Sequence, residues 1–173
     1  MLKTRNIAVR LALVVLAVAI ATPAFAQGPV GCDKFKWPID KERAMLTGDA
    51  IKVASGASLT SSLPLSVVVA LQPFADAKLP MAPERAPKSA DTFAGFVTVP
   101  APPKAATYTV SLSSEGWIDV IQNGQFVKSA GFSGAQGCDS VRKSVEFDLA
   151  AQPFTVQLSG VPANLIRIAV TGD

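Results

Sequence analysis

Glu115 and Asp119 stand two residues to either side of Trp117. Paired acids flanking a sugar bond are how most glycoside hydrolases work, one giving a proton while the other acts as base or nucleophile. The same trio suits simple binding, because an indole offers a flat apolar face and carboxylates offer hydrogen-bond acceptors. In an extended segment Trp117, Asp119 and Ile121 share one face. A wet Asp119 therefore implies a partly exposed Trp117, whereas a buried Trp117 leaves Asp119 awkwardly placed. The plainer alternative is ordinary packing: a core tryptophan, a turn glutamate and an outward aspartate.

Other chemistries meet missing residue types. The chain has no histidine, the usual general base near neutral pH and the commonest transition-metal ligand. Ser-His-Asp and Cys-His arrangements and a two-His-one-carboxylate iron site are therefore excluded. Ser140 and Lys143 have the S-x-x-K spacing, but a lysine activates such a serine from one helical turn away, and this stretch runs into the extended segment "SVEFDL". It reads as a solvated strand entry. Gly131 to Gly137 is glycine-rich without phosphate-loop spacing and reads as a flexible loop. No acidic loop of calcium-binding spacing is present. The expectation is no catalytic residue, no metal and no cofactor.

Cys32 and Cys138 are the only cysteines, and each stands in a Gly-Cys-Asp. In an oxidising compartment two cysteines most often pair. Neither C-x-x-C redox spacing nor a four-ligand zinc set is available. A Cys32–Cys138 bridge closes a loop of about 105 residues, for which the chain-entropy model gives roughly 4 to 5 kcal/mol. Each preceding glycine permits tight backbone approach, and each following aspartate forms turns.

The oxidising compartment follows from residues 1–26. Lys3, Arg5 and Arg10 precede the apolar run Leu11 to Ile20, and Ala24-Phe25-Ala26 supplies a signal-peptidase site before Gln27. The leader is too short for a membrane span. It holds three of the 16 Lys and Arg and none of the 13 Asp and Glu, so the net +3 falls to zero in the mature chain. Without a basic cluster, nucleic acid is dropped as a partner.

Residues 27–173 make one domain. Pro38 to Leu46 is a short helix, with proline and carboxylates in its first turn and Gly48 as its stop; Phe35, Ile39 and either Met45 or Leu46 face the body. Strands are expected at Leu65–Leu71, Phe93–Val99, Tyr108–Leu112, Trp117–Gln122, Phe126–Lys128, Val145–Leu149, Phe154–Leu158 and Ile166–Val170. They are short, rich in Val, Ile, Phe and Thr, and punctuated by turn residues. Asn123-Gly124 predicts a type I′ hairpin. "YTVSLSS" and "FTVQLSG" echo one another, each with an apolar and a wet face, as two outer or facing strands. The proline-rich 73–91 is either an ordered strap anchored by Phe74, Leu79 and Met81 or a mobile functional loop. The fold class is an all-β, antiparallel, jelly-roll-like β-sandwich with a short N-terminal helix.

Taken together, "GCDKFKWPIDKERAML", "PFADAKLPMAPERAPK", "YTVSLSSEGWIDV" and "GVPANLIRIAV" resemble a family of small exported proteins of Gram-negative bacteria. Some members are labelled homogentisate 1,2-dioxygenase. That label implies a cupin with iron held by two histidines and a glutamate, and no position here accepts the histidines. The second half is also similar to β-sandwich domains appended to secreted peptidases and carbohydrate-active enzymes. The expectation is a periplasmic or secreted, non-catalytic binding or envelope-associated module, with a glycan, envelope component or protein as partner and no membrane span after cleavage. The alternative is an enzyme, either the labelled dioxygenase or an acid-pair hydrolase.

Overall fold

The computed structural model describes residues 28–172; the leader expected at 1–26 lies outside them. Among the described residues no helix is long and apolar enough to cross a membrane. The chain runs through helix α1 (Asp40–Thr47) and twelve strands: β1 (Ile51–Ala54), β2 (Ala57–Ser58), β3 (Leu65–Ala70), β4 (Gln72–Pro73), β5 (Phe93–Val99), β6 (Ala106–Leu112), β7 (Trp117–Gln122), β8 (Gln125–Phe126), β9 (Ser129–Gly134), β10 (Lys143–Leu149), β11 (Phe154–Val161) and β12 (Leu165–Gly172).

The strands form two sheets, ordered β1-β3-β12-β6-β10-β9 and β2-β5-β11-β7-β8, with β4 added on β5. Eight of them (β3, β5, β6, β7, β8, β10, β11 and β12) carry the antiparallel pairing of a jelly roll, the path switching sheets at every step except the β7–β8 hairpin. The apolar side of each alternating strand faces the other sheet. Val69, Val110, Ile168, Phe147, Val97, Val120, Val156 and Phe154 meet there in one dry core.

The antiparallel expectation needs one correction, because β1 runs parallel to β3 and β2 parallel to β5. The chain passes from the edge of one sheet to the edge of the other at Ser55-Gly56, whose amides donate to Ala70 O and Phe96 O at 3.0 and 2.7 Å. This crossing presses on β5: a Cβ at Gly95 would lie 2.6 Å from Ser55 Oγ. A second correction concerns Gly131 to Gly137, whose first four residues belong to β9, held on β10 from Gly134 to Ser129. Its small residues pack because the N-terminal segment crosses them.

That crossing is where the disulfide acts. Cys32 and Cys138 are bonded, with Cα atoms 4.6 Å apart. Gly31 and Gly137 both have positive φ, 104° and 64°, a conformation that favours glycine. Beside the bridge, Gly31 N–H donates to Gln136 O and Gln136 N–H to Pro29 O, both at 2.8 Å. Beyond the bridge the chain lies on the outer face of the first sheet, over a row of small residues: Ser66, Ala169, Ser111, Ser144 and Ser133. Ile39 and Leu46 of this segment bury against Cys138, Val141 and Ala169, with Phe35 and Met45 partly covered beside them, the faces expected from the sequence. Buried Glu42 accepts from Thr171 Oγ1 at 2.5 Å.

The outer face of the second sheet is covered as well, by residues 73–92. The wet faces expected for "YTVSLSS" and "FTVQLSG" are therefore dry at Ser111, Gln157 and Ser159, which are at most 1% exposed. The two stretches are central strands, β6 and β11, of opposite sheets.

At the β7–β8 turn, Asn123 and Gly124 have φ of 54° and 74°, the type I′ geometry read from the sequence. Gly124→Val forces a β-branched residue into the left-handed region. It is expected to lower stability by about 1 to 2 kcal/mol, read as a lower urea midpoint at unchanged slope.

Candidate functional site

Trp117 opens β7 on the outer face of the second sheet, opposite Ser159 of β11. Asp119 lies one pleat further, opposite Gln157. The tension between them is resolved by the proline-rich segment, which is a strap. Met81 N–H donates to Gln157 Oε1 at 3.2 Å and Glu84 N–H to Asp119 Oδ2 at 3.4 Å. The strap buries Asp119 to 1% exposure while leaving Trp117 half-buried at its margin. Phe74, Leu79 and Met81 of the strap are half-buried.

Asp119 is fully engaged. Oδ1 accepts from Trp117 Nε1 at 2.6 Å, and Oδ2 accepts from Gln157 Nε2 at 3.1 Å as well as from Glu84. Burial pushes its carboxyl above the ordinary value of 3.8, and the three hydrogen bonds oppose that rise. Its local effect is to fix the indole, since a ring held through its N–H keeps one orientation and turns only carbon toward the open side.

Beside the indole the strap and the ends of β7, β10 and β11 enclose a cleft of about 480 Å³. Trp117, Glu115, Gly116, Lys143, Ser159 and Arg85 are among its walls. The Arg85 guanidinium lies 5.4 Å from the indole centroid and the Lys143 amine 5.3 Å, within the range of cation–π attraction. Lys143 Nζ also donates to Gly116 O at 2.7 Å, and Arg142 Nη2 to Glu115 Oε1 at 2.7 Å. Burial, then the charges of Arg142 and Arg85, hold the Lys143 amine below its usual value.

Of the three residues singled out from the sequence, Trp117 and Glu115 line the cleft; Asp119 stands behind the indole under the strap. The carboxylates do not converge as a pair: Glu115 is ion-paired with Arg142 and Asp119 is enclosed by donors. Sequence reasoning missed Arg85, Lys88 and Lys143. Two of them lie in the strap, where no periodicity shows which way a residue faces; the available signal was the pair of cations in "ERAPK" within a segment anchored on a sheet. Lys143 was weighed only as the partner of Ser140. That pairing lacks the helix it needs: Ser140 is in a turn with φ of 68°, and Lys143 begins β10. Val141 between them is fully buried, so this strand entry is not a solvated one. Among the described residues no three Asp, Glu or Cys side chains cluster as a metal set.

No family model, curated protein or solved structure matches this chain.

Proposed function

We propose that the protein is an exported, non-catalytic β-sandwich module, periplasmic or secreted, that binds a glycan or another envelope component in the cleft floored by Trp117. The observation that carries this reading is an indole pinned by a buried carboxylate at 2.6 Å yet left half-exposed at the wall of a cleft. Pinning a large amphipathic ring that could otherwise be buried is useful where the ring is a contact surface, because ordering costs are met before the ligand arrives. The absence of histidine and the prior engagement of both nearby carboxylates favour binding over acid-pair hydrolysis. The leader-like residues 1–26, the disulfide and the likeness to exported Gram-negative proteins support the location.

Trp37 and Trp117 are the only tryptophans, and the Trp37 indole N–H is buried without a partner. Trp37→Phe therefore removes no hydrogen bond and leaves Trp117 as the sole indole reporter. Titrating this variant with neutral and acidic oligosaccharides and with peptidoglycan fragments is expected to change its fluorescence for at least one class, with every ligand recovered uncleaved. Trp117→Ala is expected to weaken that binding by about 2 kcal/mol, roughly thirtyfold in Kd. A panel without any response, or a cleaved ligand, overturns the reading.

A further inference from the structure

The electrostatics of the cleft narrow its ligand. Arg142 is matched by Glu115, but among the described residues Arg85, Lys88 and Lys143 form no salt bridge. Three uncompensated cations therefore border one small cleft, an arrangement that concentrates an anion there. Arg85 and Lys88 are exposed strap residues. The Arg85 guanidinium lies over the indole face, a weaker partner than a carboxylate or phosphate that it can grip with two N–H groups. Lys143 gives one of its three N–H groups to Gly116 O and keeps the others.

Two further features concern the uncharged part of the ligand. The indole N–H is consumed by Asp119, so the cleft side of Trp117 offers only a flat apolar surface. Next to it, Ser159 is a lining residue of the cleft, 1% exposed, and its buried hydroxyl has no hydrogen-bond partner. A buried hydroxyl in this condition is expected to find a partner when the cleft fills. A flat C–H face, a hydroxyl and a negative group on one compact ring match all three features.

We infer that the cleft takes an anionic sugar, a pyranose lying on Trp117 with its hydroxyl at Ser159 and its acidic substituent drawn between Arg85 and Lys143. This rests on the binding role proposed for the cleft and adds the ligand's charge. On binding, Arg85 exchanges the indole face for the anion, which frees that face for the sugar ring. The acidic group comes from a uronic acid or from a sugar phosphate, since both present paired oxygens to the same cations.

The test follows the Trp117 indole N–H resonance, assigned by its loss in Trp117→Phe, during titration with oligogalacturonate, glucose 6-phosphate and a neutral galactose oligomer. The expected result is a shift with one or both acidic probes, which also identifies the source of the charge. That shift should weaken as salt is raised, and Arg85→Glu should weaken the binding roughly tenfold or more. Arg85 is exposed and, among the described residues, in no salt bridge, so the variant should keep the wild-type urea midpoint; Lys88→Glu gives a second reading with the same expectation. A shift with the neutral oligomer equal to that with the acidic probes and indifferent to Arg85→Glu overturns the charge assignment while leaving the binding role in place. Silence from all three probes overturns the anionic-sugar inference; silence across the wider fluorescence panel as well overturns the binding role.

Discussion

Replacing Cys32 and Cys138 together by serine is expected to lower the unfolding free energy by about 4 to 5 kcal/mol relative to the oxidised protein, read as the fall in urea midpoint. The bridged residues are 106 apart in sequence, so the bond restrains nearly the whole path from β1 through β9 in the unfolded chain. Loop-closure entropy of that size is a large share of a domain's total stability, about 5 to 15 kcal/mol. A local loss should accompany the global one. Residues 28–39 meet the first sheet through the small cluster around Cys138 and a bond from Lys36 N–H to Ser133 Oγ at 2.9 Å. Without the bond that segment should exchange its amide hydrogens before the sandwich does. A midpoint unchanged within about 1 kcal/mol would mean that the unfolded chain is already compact and the entropic account wrong.

Asp119→Ala should have the next largest effect, about 2 to 4 kcal/mol of stability, because it leaves the Trp117 indole N–H and the Gln157 amide without their shared acceptor in a buried place. Gln157 is wholly buried, so water cannot easily take over. Asp119→Asn, which retains one acceptor oxygen, should lose less. The pH response carries a sign that separates this carboxyl from a surface one. Its folded-state value lies above the ordinary 3.8 because burial disfavours the charge. Between that ordinary value and the raised one the folded protein holds the extra proton, so Asp119's contribution to stability falls as pH rises through the window and is recovered on acidification. The indole resonance of Trp117 should titrate over the same window, with its midpoint above 3.8. A midpoint below 3.8 would show that the hydrogen bonds outweigh desolvation.

The sandwich was legible wherever a strand alternates against the core. "LSVVVAL", "FAGFVTV", "WIDVIQ" and "FTVQLSG" carry the period-two pattern that burial between two sheets imposes, and each is a strand. The four missed strands lack that pattern for physical reasons. Ile51 and Lys52 of β1 are exposed, β2 and β4 are two residues each, and β9 is built of Ser, Ala and Gly around an exposed Phe132. They are edge additions held by backbone bonds, which leave no hydropathy signature. The disulfide was legible because the expectation of export and a lone pair of cysteines leave few alternatives. The cleft was legible only in Trp117 and its flanking acids. Asp119 meets Gln157 through the register of β7 on β11, and Arg85 reaches the indole from 32 positions upstream through a strap without periodicity. Neither relation is local, so neither could be counted off along the chain.

The edges of the two sheets bear on how the folded protein behaves in a crowd. One sheet ends in β2 and β8, both only two residues long. The other ends in β1, four residues with Lys52 among them, and in β9, where the Lys36 ammonium caps the Phe132 ring. Short, cationic or overlaid borders give a neighbouring copy almost no template for adding a strand. Fibril growth from the folded state should accordingly require prior loss of the N-terminal covering segment.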